Sequence, residues 1–158
     1  MSTVTAQGEA PVGESSIGDG PRLTYLVKRL EMAERARLEE VLQAYGVTLH
    51  QYTALSLLER RDGLSSAQLA RRHFVSPQAM SQLISSLERD GLIRRTPDVA
   101  HRKVLRATLT DHGRNTLGSC HAAVDDLEQQ MLADFTHDQE QEFRAALQRS
   151  LQGLAKSP

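Results

Sequence analysis

The apolar residues of this chain change their period twice, and few folds accommodate that pattern. From Leu23 to Leu87 they recur every three or four residues. Between Leu92 and Leu109 they fall into two short runs, and from Leu117 onward the helical spacing returns. A mainly helical chain interrupted by one β-hairpin satisfies this, and a sandwich, barrel or alternating α/β sheet does not. The core palette agrees: with no Trp, three Tyr and three Phe, the interior must be Leu, Ala, Val and Met, which pack well between helices. At 158 residues one domain is expected.

Caps and breakers divide the chain. Residues 1–21 are rich in Gly, Ser, Glu, Thr and Pro and show no apolar period, which predicts a flexible tail ahead of a domain over 22–155. Leu23, Leu26, Leu30 and Ala33, then Leu38, Val41, Leu42 and Tyr45, mark a long first helix that ends at Gly46. Thr48 with Gln51 is a capping-box pair opening a second helix, which Asp62-Gly63 breaks. Ser65 with Gln68 repeats the box for a short third helix that stops near Phe74. Ser76-Pro77 then opens a fourth, with Met80, Ile84 and Leu87 inward and Gly91 as terminator. Residues 92–95 and 104–109, split by the polar stretch 96–101, read as the hairpin. Thr110 caps a long helix with Leu117, Cys120, Val124, Leu127 and Met131 on its inner row. Thr136 with Gln139 opens a last helix carrying Phe143, Leu147, Leu151 and Leu154. The predicted order is α-α-α-α-β-β-α-α.

Two short helices joined by a tight turn and followed directly by a hairpin make a winged helix-turn-helix, here over about 48–110. Its charge fits a polyanion. The chain as a whole carries −1, yet residues 60–106 hold ten Arg or Lys against four Asp or Glu, a net of +6 between acidic flanks. On the fourth helix Gln78, Ser81, Gln82 and Ser85 fall at i, i+3, i+4 and i+7, opposite the inward row. Gln pairs bidentately with adenine and Ser bonds either kind of base, while the helix N-terminus at Ser76, Pro77 and Gln78 presents free N–H groups that suit a phosphate. His101, Arg102 and Lys103 sit at the hairpin turn, where Arg102 is the candidate for minor-groove insertion, and Arg95 of the first strand joins them as a DNA-binding candidate. Each feature also has a plain reading: polar outer faces are general, and basic residues guard strand edges.

Other chemistries find little footing. There is no phosphate loop, dinucleotide glycine fingerprint, H-E-x-x-H or G-x-S-x-G, so no catalytic residue, metal or cofactor is expected. Cys120, His121 and Asp125 form no dyad, because adjacent helical residues point about 100° apart. Cys120, the single cysteine, packs as a small apolar residue or serves as a redox-sensing thiol. No stretch reaches the ~18 apolar residues of a membrane helix, which predicts a cytoplasmic protein.

These residues resemble the MarR family of winged-helix regulators over roughly Leu23 to Leu154. The resemblance is carried by Leu69-Ala70, Val75-Ser76-Pro77-Gln78, Leu87-Glu88 with Gly91-Leu92-Ile93 and Arg95, and Leu109-Thr110 with Gly113. It implies a DNA-binding repressor, not an enzyme: a homodimer joined through helices at about 22–45, 111–133 and 137–155, reading a pseudo-palindromic operator in double-stranded DNA. It also implies a small-molecule effector, a phenolic or aromatic acid held between the dimerisation helices and the winged motif. By position Tyr25, Arg29, His50 and Tyr52 are its candidate contacts, with Arg29 or His50 facing the carboxylate. Two alternatives stay open: a thiol-based redox sensor of the same fold, and a winged-helix protein-interaction module that does not bind DNA. The chain departs from the family pattern at two places. His101-Arg102-Lys103 stands where many members carry an acid followed by two arginines, so the usual acidic brace of the wing is not expected there. His73 occupies a usually apolar position, which places a histidine against the core.

Overall fold

The computed structural model describes residues 20–155, so the tail read over 1–21 lies outside them except at its last two positions. The elements are α1 (Leu23–Gln43), α2 (Leu49–Arg60), β1 (Leu64–Ser65), α3 (Ser66–His73), α4 (Pro77–Arg89), β2 (Ile93–Pro97), β3 (Leu105–Leu109), α5 (Asp111–Met131) and α6 (His137–Ala155). The chain divides into two compact units, Met1–Arg37 and Leu38–Pro158. In the first, the described part of α1 leaves Leu23, Leu26, Val27 and Leu30 exposed, and the Arg29 guanidinium lies 5.9 Å from the centre of the Tyr25 ring.

The second unit is built around the winged motif. Thr48 and Gln51 exchange both capping-box bonds, as do Ser65 and Gln68. Thr110 Oγ1 accepts from Gly113 N at 2.9 Å, and Thr136 and Gln139 open α6 reciprocally. Satisfying these otherwise orphaned donors is what starts each helix where the sequence places it. Leu55, Leu58, Leu69, Met80, Ile84, Leu87 and Leu117 from four helices, with Leu64, Ile93 and Leu109 from the sheet, form one buried core. Leu42, Val47 and Cys120 form a second, smaller cluster.

The hairpin expected from sequence is a three-stranded antiparallel sheet in the order β1-β3-β2. The added strand is two residues long and pairs Leu64 with Ala107 and Ser65 with Arg106. No periodicity exists over two residues, so β1 is defined only by its partner. Gly91, at φ +72°, makes the left-handed exit from α4. At Gly113 a Cβ would stand 1.9 Å from the Leu92 carbonyl oxygen, so only glycine lets α5 start this close to β2.

Two expectations fail. His73 is half-buried rather than set in the core: its Nε2 is 3.0 Å from the His50 carbonyl oxygen and its ring centre 5.2 Å from that of His50. The rows read as inward on α5 and α6 are buried only in part. Leu117 and Cys120 are covered, but Met131, Leu147, Leu151 and Leu154 are exposed among the described residues.

Candidate nucleic-acid interface

Helix α4 begins with the Ser76 hydroxyl accepting from Ala79 N at 3.1 Å and with Pro77 at the first helical position. Met80 and Leu87 are fully buried and Ile84 nearly so, which turns Gln78, Ser81, Gln82 and Ser85 to solvent. The next polar residue, Ser86, has another task. Its hydroxyl accepts from Gln51 Nε2 at 2.9 Å, while Gln51 Oε1 accepts from Thr48 N at 2.9 Å. Gln51 is only 7% exposed. One buried amide therefore closes the α2 cap and sets α4 against it. Sequence shows the local half of that role; the bond to Ser86 crosses 35 positions.

The wing is braced at both ends. At its base the Arg95 guanidinium grips Glu88 through Nε at 2.8 Å and through a second nitrogen, and Arg95 N–H donates to the other carboxylate oxygen at 3.2 Å. This ion pair, chiefly the side-chain bond, holds the Glu88 carboxyl below its ordinary pKa. Arg95 is thus committed to joining β2 to α4, and acts on any ligand by positioning the wing. Farther out, Asp98 accepts from Ala100 N at 2.9 Å and His101 N at 2.8 Å, and from the Arg106 guanidinium. Arg106 in turn donates to the Gly63 carbonyl at 3.1 Å and to Gln68 Oε1 at 3.2 Å. The Arg106 bond, then the His101 amide, keep the Asp98 carboxyl low in pKa. The wing does have an acidic brace, contrary to the expectation drawn from its tip. The acid comes from the end of β2, three residues before His101, and its arginine from β3. His101, Arg102 and Lys103 are exposed at the tip, ahead of Val104, whose N–H donates to the His101 carbonyl at 2.7 Å.

The effector candidates of the second unit do not converge. His50 and Tyr52, two residues apart, face different neighbours, as helical geometry requires. His50 meets His73 of α3. Tyr52 Oη lies 2.9 Å from His121 Nδ1, and His121 Nε2 is 2.9 Å from Glu59 Oε2. Burial raises the Tyr52 phenol above its usual pKa. This α2–α5 bridge escapes sequence reasoning, since His121 lies 69 residues from Tyr52 and 62 from Glu59. Cys120 is fully buried, and burial pushes its thiol pKa up, away from the thiolate that oxidants attack. The geometry assigns it to packing.

The MarR family pattern matches residues 45–103, from the end of the first turn through the wing tip. The HTH-type transcriptional repressor Rv2887 of Mycobacterium tuberculosis is 35% identical over 133 residues, covering 84% of this chain and 96% of that protein. The chain belongs to the MarR family. Members of this family are transcription regulators, not enzymes. The crystal structure of Rv2887 in complex with DNA superposes with a TM-score of 0.72 over 83% of this chain and 98% of that one. The structure of Rv2887 with salicylic acid does so with a TM-score of 0.67 over 83% and 97%. The MarR winged motif and its flanking helices thus account for nearly all the described residues. Among those residues no helix is long and apolar enough to cross a membrane.

Proposed function

We propose that this MarR protein is a cytoplasmic transcriptional repressor that binds double-stranded DNA as a homodimer on a pseudo-palindromic operator and releases it when a phenolic or aromatic acid binds. The observation that carries the reading is the exposed, uncharged, hydrogen-bonding stripe Gln78, Ser81, Gln82, Ser85 beside a wing braced at both ends. The two glutamines offer bidentate contacts to adenine, the serines single bonds, and the α4 N-terminus at Ser76 and Pro77 a phosphate site. Arg102, His101 and Lys103 reach the adjacent groove and backbone, and Arg95 keeps the wing in register with α4. The apolar residues left open on α1 and α6 are the surfaces a second copy covers. The DNA and salicylic acid complexes of Rv2887 favour the same partners here. Arg29, whose guanidinium lies by the Tyr25 ring, is the candidate cation for the effector carboxylate.

A mobility shift with duplex DNA from upstream of the protein's own gene, run with and without salicylate, tests this reading. Specific retardation that weakens in Gln78→Ala and Arg102→Ala, and that salicylate reverses, is expected. A shift indifferent to both substitutions would contradict the assigned interface.

A further inference from the structure

One residue of the winged motif breaks the local rules without structural return. Phe74 forms the turn between α3 and α4 at φ +57°, and is the single non-glycine residue with positive φ among the described residues. It is 95% exposed. A left-handed turn favours glycine or asparagine, and a bulky side chain there is strained. The turn's own needs are met elsewhere. Val75 supplies the apolar contact with the core, and Val75 N–H donates to the Ala70 carbonyl at 3.3 Å, closing α3. The Phe74 backbone N–H also returns to Ala70, an exchange any residue could make. Among the described residues its ring joins no aromatic pair, whereas the neighbouring His73 pairs with His50. Glycine would fold this turn better and expose less apolar surface. Such conflicts concentrate where function overrides stability.

We infer that Phe74 is a specificity-determining residue that packs against the 5-methyl group of a thymine at the edge of the major groove. The inference rests on the reading of α4 as the DNA-contacting helix. Gln78 lies four positions after Phe74, so their Cα atoms are at most about 14 Å apart. That span is comparable to the major groove's width of about 12 Å. A helix seated with Gln78 on base edges brings the turn before it to the groove wall. Of the groups displayed there the thymine methyl is the apolar one, and phenylalanine is a suitable partner for it. Arg71 and Arg72, exposed in the preceding turn of α3, supply cations for the flanking backbone.

The test uses the full chain and a duplex selected by the wild type from a random pool. Each thymine of the selected site is replaced in turn by deoxyuridine, which lacks only the methyl group. Wild type loses about fourfold in affinity at one position per half-site, the equivalent of about 0.8 kcal/mol for one methyl-sized group at 1.4 kcal/mol per tenfold. Phe74→Gly and Phe74→Asn bind the unmodified duplex tenfold or more weakly, ignore that one methyl, and melt at the wild-type temperature or above. Wild-type affinity and an unchanged uracil profile in Phe74→Gly would overturn the contact while leaving DNA binding by α4 intact. A uniform loss with no methyl dependence, or a lowered melting temperature in both variants, would also overturn it. If wild type selects no duplex, the reading of α4 and this contact fall together.

Discussion

The winged motif and the last helix are both amphipathic in sequence, but they end differently in the structure. Met80, Leu87, Leu69 and Leu109 are within 2% of complete burial, whereas Leu147 is 41% exposed and Leu154 78%. The motif's three short helices and sheet close on one another, and buried or half-buried polar residues pin the closure: Gln51 to Ser86, Arg95 to Glu88, Arg106 to Asp98. Helix α6 has the same 3.6-residue period, but beyond the contact of Phe143 with Phe135 its apolar stripe stays open among the described residues. An apolar stripe says that a face will be buried, without saying against which molecule. The motif is complete within one chain; the helical end is complete in the proposed dimer.

The largest effect that would break this contrast lies at Gly113. Gly113→Ala sets a Cβ on the Leu92 carbonyl, so β2 and α5 must separate. We expect a loss of about 3 kcal/mol or more in denaturant unfolding, comparable to severe core lesions. A variant of wild-type stability would show that the junction is soft. Next comes the helical end. Leu147→Glu with Leu151→Glu should raise the dimer dissociation constant at least a hundredfold, on the order of 3 kcal/mol, as followed by sedimentation, with the winged motif still folded. Unaltered association would mean that these leucines face no partner.

Smaller effects sharpen the account of the motif. Gln51→Ala strands both Thr48 N–H and the Ser86 hydroxyl, and should cost about 2 kcal/mol and loosen α4, readable as faster amide exchange there. The smallest effect is titratable. Asp98 and Glu88 have folded pKa values below their ordinary ones. Their stabilisation is therefore fully present above the unfolded carboxylate pKa of about 4 and is lost as pH falls through the lower folded values. Both groups are half-buried and close to solvent, so the change is modest and salt-sensitive. In Asp98→Asn, wing-tip amides should show at neutral pH the low protection factors that wild-type ones show only in acid.

What could be read from sequence was local. Thr48 and Gln51, Ser65 and Gln68, and Ser76 with Pro77 announce helix starts because a cap and its partner lie within three residues. The stripe on α4 was legible for the same reason, since the helical period alone puts Gln78 to Ser85 opposite Met80 and Ile84. The braces were not. The hairpin register brings Arg106 to Asp98, eight positions away, and Arg95, a DNA-binding candidate by sequence, is engaged by Glu88. The Tyr52–His121–Glu59 bridge depends on how α5 crosses α2, which neither helix encodes by itself.

The central claim is that α4 reads bases while the wing binds backbone and groove. Salt-titrated anisotropy on the selected duplex tests it most directly, comparing wild type with Gln78→Ala and Arg102→Ala. The account predicts that affinity falls linearly on a log–log plot of binding against salt. Arg102→Ala should flatten that slope by about two, one per protomer, and Gln78→Ala should leave the slope unchanged while relaxing base preference at one position per half-site, at a cost of about 1–3 kcal/mol for each contact. Equal slopes and equal base preferences in all three proteins would contradict it.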